Sequence, residues 1–405
     1  MLKPIYRLST VASVIALAAA VPAYAQDDAQ LEVRAGATYA SSPFLVGGGE
    51  AGTDGDAVAL SIEALPELLW EDETSVVRLG GVVRYEEWLK RYGSDVSGAV
   101  SLSGQKRASE TLSIFGAVGY QTSERPRPEA LVSSLSDDPL VDPLQFEGPI
   151  DPTLNQTFDR RQSATASFGA EKRLSPTQSL RAEISGVSNW FEGDGLDYRT
   201  VVLDTSYSQQ LNPRLSMIIG LSGAISDYEI GTRGDGVLGN ATIGFDLKLS
   251  ETGSLRASGG AGALRIDNGL GIKESKTFVV VDFNLCEQTG KSRICAGASR
   301  ETRPTALGGA TKVTAAQLGW DLTLGENESL SIGASYADTE ASTSLVEPIL
   351  LPRTKYAAAA LRYSRLISEN LGFYFAPSAT KIFDDPLGRD ANYQVSVGLS
   401  YIFGR

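Results

Sequence analysis

The sequence predicts an all-β fold: a transmembrane antiparallel β-barrel of about 18 strands, with about 16 as the nearest alternative. Three observations carry that expectation. Apolar residues recur with period two over segments longer than the strands of soluble sheets. The connections between those segments alternate between short and long, as in barrels that cross a membrane. No long segment spaces its apolar residues three and four apart, as a helix requires.

Residues 1–25 read as an export signal that is removed, leaving the barrel at 26–405. Lys3 and Arg7 give a positive start, Val11 to Ala20 an apolar run, and Ala23-Tyr24-Ala25 a small–x–small cleavage pattern before Gln26-Asp27-Asp28. A membrane-anchoring helix is the alternative, but the apolar run falls short of the roughly 18 residues a span needs.

Strands are then expected at 31–40, 57–69, 75–88, 95–105, 110–122, 160–172, 178–191, 197–209 and 214–227. The second half continues with 237–249, 254–266, 274–287, 292–301, 312–324, 329–340, 354–367, 370–381 and 390–403. Three segments show the alternation most plainly. Ala241, Ile243, Phe245, Leu247 and Leu249 oppose Thr242, Gly244, Asp246, Lys248 and Ser250. Leu318, Trp320, Leu322 and Leu324 oppose Gln317, Gly319, Asp321 and Thr323. Tyr393, Val395, Val397, Leu399, Tyr401 and Phe403 share one parity, broken only by Ile402 on the other. Turn residues fill the short connections at 71–73, 174–177, 211–213, 251–253 and 325–327, while 41–56, 123–159, 341–353 and 382–389 are long. A soluble sandwich has shorter strands without this regularity, and a β-helix would show a short repeat that is absent.

Composition narrows the functions. The chain has 405 residues, no histidine, two cysteines and a net charge of −13. Catalytic triads, histidine metal sites and four-cysteine clusters are thereby excluded. A net negative chain without a basic footprint argues against a nucleic-acid partner. No Gly-x-Ser-x-Gly elbow frames a serine, so no catalytic residue, metal site or cofactor is expected.

If the apolar parity meets lipid, the opposite parity lines a lumen. It carries Arg78, Arg84 and Glu86, then Arg181 and Glu183, then Asp246 and Lys248, and finally Arg362 with Tyr374. Facing hydrocarbon would cost such charges about 2–4 kcal/mol each near the bilayer centre. Aromatic residues near strand ends, Trp70, Trp88, Tyr92, Tyr120, Trp190, Tyr198, Tyr228 and Trp320, are expected to form interfacial girdles.

The connection from Ser123 to Phe158 holds six prolines and seven acidic residues, among them Asp137, Asp138, Asp142, Glu147 and Asp151, against Arg125 and Arg127. Folded into the lumen, it would constrict a pore and favour cations; on the surface, it is a solvated loop. Cys286 and Cys295 flank the turn Thr289-Gly290-Lys291-Ser292 on the lumen parity, opposite one another, and are expected to form a disulfide.

The last strand, ending in Tyr401 and Phe403, resembles the assembly signal of bacterial outer-membrane barrels, although Gly404 and Arg405 follow the aromatic that usually terminates the chain. Residues 33–122 resemble the start of the outer-membrane β-barrel proteins found with bacterial exopolysaccharide clusters. The features are Tyr39 to Phe44 leading into Glu50, Asp54 and Asp56, then Pro66, then Arg84-Tyr85-Glu86-Glu87. That resemblance implies export of a polysaccharide or another role in its production, with polysaccharide and periplasmic export components as partners. Independently of it, the pattern leads to a Gram-negative outer-membrane channel for small hydrophilic or saccharide solutes, in contact with outer-membrane lipid and the barrel-assembly machinery. The third reading is a structural or surface-interaction barrel with a closed lumen.

Overall fold

The computed structural model describes residues 28–42, 55–89, 93–123, 160–191, 197–229, 235–267, 273–304, 310–341, 353–383 and 391–404. The expected signal segment at 1–25 and the acidic connection with Asp137, Asp138, Asp142, Glu147 and Asp151 lie outside them.

Eighteen strands form the described chain: β1 Asp28–Ala40, β2 Ala57–Glu71, β3 Ser75–Leu89, β4 Gly93–Ser109, β5 Leu112–Ser123 and β6 Arg161–Ser175. Next come β7 Gln178–Phe191, β8 Tyr198–Asn212, β9 Leu215–Tyr228, β10 Asp235–Lys248, β11 Gly253–Asp267 and β12 Lys273–Thr289. The last six are β13 Ser292–Pro304, β14 Ala310–Gly325, β15 Glu328–Ala341, β16 Thr354–Leu366, β17 Leu371–Phe383 and β18 Asn392–Phe403. Each pairs antiparallel with its sequence neighbours, and β1 closes the sheet on β18 with Leu31 opposite Phe403 and Ala40 opposite Gln394. The result is a closed 18-stranded barrel without a sheet edge.

Two kinds of connection sort to opposite ends. The tight turns after β2, β4, β6, β8, β10, β12, β14 and β16 lie at one end with Asp28 and Phe403, here the turn end. The opposite ends of the strands, with Ala40 and Asn392, form the loop end. Local chemistry explains the tight turns. Asp72, Ser109, Ser175, Asn212 and Ser250 each accept, through the side-chain oxygen, the backbone N–H two residues on. Such short side chains mimic a turn of backbone and stop the strand. Gly290 takes φ +57° in the β12–β13 turn, a conformation that glycine adopts without steric cost.

Along β18 accessibility alternates as the sequence does: Tyr393, Val395, Val397, Leu399, Tyr401 and Phe403 are exposed and their neighbours are not. The outer surface is an apolar sleeve, with Phe168, Ile225 and Ile243 each at least 60% exposed. So much exposed apolar surface suits hydrocarbon and not water. No described helix is long and apolar enough to cross a membrane; the strands make the wall.

The core sits inside the barrel, toward the loop end. Ala40, Ala57, Ala59 and Trp88 pack together, as do Ala224, Leu238, Leu264, Ile266 and Ala310, and Ala337, Tyr356 and Ile382. All occupy inward positions of the loop-end half. Inward residues of the turn-end half, such as Gln105, Arg173, Lys248 and Arg293, are exposed.

This placement corrects part of the aromatic girdle. Trp70, Tyr120, Trp190 and Trp320 take the outward parity as expected, and Tyr92 lies outside the described residues. Trp88, Tyr198 and Tyr228 instead point inward and are buried. Tyr198 and Tyr228 face each other across β8–β9 with ring centroids 5.7 Å apart. At about 3.4 Å per residue, strands of 12–17 residues outreach an apolar band about 25 Å tall even when tilted. Near their ends, aromatics can therefore serve the interior instead of the headgroups.

Candidate functional site

The polar parity points to the inside of the barrel. Arg78, Arg84 and Glu86 alternate along β3 on its inward face, Arg181 and Glu183 do so on β7, Asp246 and Lys248 on β10, and Arg362 on β16. Register then determines which of them meet, and three groupings result.

The first is a charged wall on β1–β4. Arg34 lies opposite Glu63 across β1–β2, and Glu63 lies opposite Arg84 across β2–β3. Glu63 is thus the carboxylate shared by two guanidiniums, with Arg34 Nη1 at 3.8 Å and Arg84 Nε in direct contact. Arg34 donates through Nε and Nη2 to both oxygens of Glu32, at 2.8 and 2.9 Å, a two-pronged pairing that suits guanidinium. Arg84 also reaches Glu86, 3.9 Å away, which sits opposite Asp95 on β4. Only 9% of the Glu63 side chain is exposed, against 18% for Arg34 and 20% for Arg84, so the network is largely desolvated. Toward the turn end, Arg78 donates to Glu67.

Tyr374 completes this wall. Gly36 and Gly398 face each other across β1–β18, and Tyr374 pairs with Gly398 from β17. A Cβ on either glycine would come within 2.5 Å of the Tyr374 hydroxyl oxygen, so the missing side chains make room for the ring. The Arg362 guanidinium stands over that ring, 5.5 Å from its centroid.

The second grouping is on β5–β7. Arg181 lies over the ring of Phe115 at 4.1 Å and donates to Glu183 at 2.8 Å. Phe115 in turn covers Gly169, whose absent Cβ would meet that ring at 2.4 Å. The third is at the turn end of β10–β11, where Arg256 donates to Asp246 at 3.1 Å. Beside it, a recess of about 330 Å³ is lined from β6 to β10 by residues including Arg173, Arg214 and Lys248. Cys286 and Cys295 face the lumen opposite one another on β12 and β13 and are joined as a disulfide.

Sequence reasoning singled out Arg84 and Glu86 but missed Glu32, Arg34, Glu63 and Glu67 around them. Glu63 and Glu67 share the inward parity of β2, and the tight turn at Glu73–Thr74 already places Glu63 against Arg84 and brings Glu67 near Arg78. Among the described residues no group of three or more metal-ligating side chains comes together.

No family model and no curated protein matches the sequence. Among solved structures the chain is similar to Pseudomonas aeruginosa OccK2 (OpdF) in complex with glucuronate, with 11% identity and a TM-score of 0.47 over 93% of this chain and 98% of that one. It is similar to Pseudomonas aeruginosa OpdL at 10% identity and TM-score 0.45, over 93% and 99% of the two chains. It is also similar to the FrpB iron transporter from Neisseria meningitidis (F5-1 variant, apoprotein form) at 8% and 0.47, over 94% and 82%. At such identities and scores the likeness is one of overall architecture.

Proposed function

We propose that this chain is an outer-membrane channel of a Gram-negative bacterium that passes small hydrophilic or saccharide solutes through its lumen. The observation that carries the reading is the inward parity. In a closed 18-stranded cylinder with an apolar sleeve, it presents arginines, carboxylates, serines and glutamines to the interior. Barrel diameter grows with strand number, and large barrels hold a water-filled lumen. Residues 1–25 direct export, and the strand ending in Tyr401 and Phe403 engages the assembly machinery. The tight turns then face the periplasm, as in bacterial barrels generally. A Thr177→Cys variant should react with a membrane-impermeant thiol reagent only in permeabilised cells. Labelling on intact cells would reverse the orientation.

The test of function is stepwise conductance of the purified protein in planar bilayers. The shielding of inward residues across the loop-end half favours a second reading, a barrel closed at that end, and absence of conductance would support it. The narrower role in exopolysaccharide production rests on the resemblance of residues 33–122. Loss of capsule in a deletion strain would support it, and an unchanged capsule would remove it.

A further inference from the structure

We propose that the recess at the turn-end mouth binds the dianionic group of a small, hydroxyl-bearing solute, with a sugar phosphate as the fitting class. Arg173 at the end of β6, Arg214 in the β8–β9 turn and Lys248 at the end of β10 line one hollow of about 330 Å³. The β10 end and the β8–β9 turn are tied together, since Lys248 N donates to Arg214 O at 2.8 Å. Among the described residues, no carboxylate is within ion-pair distance of these three cations. On β1–β3, by contrast, Arg34, Arg78 and Arg84 all pair with acids.

Charge counting sets the ligand class. Two carboxylates also line the hollow, Glu171 and Asp246, and Asp246 is taken by Arg256 at 3.1 Å. Three cations against the one remaining acid leave a surplus of two positive charges. A phosphate monoester carries about −1.5 to −2 at neutral pH, with oxygens that suit guanidinium and ammonium donors. The rest of the wall is neutral and hydrogen-bonding, with Ser179, Ser208 and Ser216 among its residues, which matches a polyol better than an alkyl chain. The volume lies at the lower end for small-molecule sites, so it holds one small solute and not a polymer. Salt screens exposed charges beyond about 8 Å, so the three cations attract over short range only and act on solutes already at the mouth.

The inference adds a binding step to the channel reading, but calorimetry on the detergent-purified full chain tests it without conduction. Hexose 6-phosphate should bind at least about tenfold more tightly than inorganic phosphate, and the uncharged hexose should not bind measurably. Arg173→Gln and Lys248→Met should each weaken the hexose phosphate by about tenfold or more, the loss expected for one charge-assisted contact. Arg107→Gln, inward at the same end but outside the recess, should leave binding unchanged and serves as the control. The proposal is overturned if inorganic phosphate binds as tightly as the ester, or if the recess variants bind like the parent while retaining the heat-dependent gel shift of a folded barrel. If binding is seen but bilayers show no conductance, the site stands and the channel reading falls.

Discussion

Two parts of the lumen wall use similar residues to opposite effect. On β1–β3, arginines and glutamates alternate between adjacent strands at matching register, and with Glu32 beside Arg34 the pair Arg34 and Arg84 is balanced by Glu32 and Glu63, largely out of water. At the turn-end mouth of β6–β10, Arg173, Arg214 and Lys248 stand where neighbouring strands contribute serine and glutamine. The first arrangement stiffens a wall; the second leaves charge available to a solute. Composition does not separate them. What separates them is whether the residue across the ladder carries the opposite sign.

The largest test of this contrast is Glu63→Ala. Removing a carboxylate shared by two largely desolvated guanidiniums should cost about 3–5 kcal/mol, read from urea unfolding in lipid vesicles. Arg214→Gln at the mouth should change the same midpoint by less than about 0.5 kcal/mol. Equal effects would erase the distinction between wall and mouth.

Reducing the Cys286–Cys295 bridge should cost less, about 2–3 kcal/mol at most, because it closes only a short loop in an already tight hairpin. Mass spectrometry of the non-reduced protein should show the linked peptides. Two free thiols in native membranes would refute the bridge and weaken the support it lends to the register of β12 with β13.

Gly398→Ala should cost about 1–2 kcal/mol, since its new methyl would press on Tyr374 and on the Ala35 carbonyl. A Gly398→Ala, Tyr374→Ala double variant should recover part of that loss in the same unfolding assay. No recovery would mean that the tyrosine ring is not what the glycine accommodates.

The smallest effect belongs to the β2–β3 turn. The hydroxyl of Ser75, then the backbone N–H groups of Thr74 and Ser75 and the Thr74 hydroxyl, hold the Asp72 carboxyl well below its ordinary value near 3.8. A depressed carboxyl stabilises the fold above its unfolded value, and that contribution fades only as pH falls toward the folded one. The difference in melting temperature between parent and Asp72→Ala should therefore hold from pH 7 to about pH 4 and shrink below it. A difference that vanishes near pH 5 would show that the turn does not hold the carboxylate.

How much of this was legible in the sequence depended on turn length. The tight turn at Gly290–Lys291 makes the pairing of Cys286 with Cys295 a matter of counting, and the turn at Glu73–Thr74 does the same for Glu63 with Arg84. Period-two alternation also placed Arg78, Arg84, Glu86, Arg181, Glu183, Asp246, Lys248 and Arg362 inward. It also put Trp88 on the same inward face of β3 as Arg84 and Glu86, and Tyr198 and Tyr228 on the parity opposite to the outward Val201 and Ile225. Parity itself therefore speaks against placing them in the girdle by nearness to a strand end alone.

By itself, then, the sequence determined the strand count, the inward and outward faces and the register within each tightly turned hairpin. These are local properties, set by side-chain alternation and by turns of two to four residues. Only the tertiary structure decided the contacts that cross long connections or the closure of the barrel: Arg34 against Glu63, Gly36 against Gly398 beneath Tyr374, and the gathering of Arg173, Arg214 and Lys248 around one recess. A long connection does not define the register of the strands that it joins, and the β1–β18 seam has no connection at all. In both places the register is settled by the mutual fit of the strands as the sheet closes on itself.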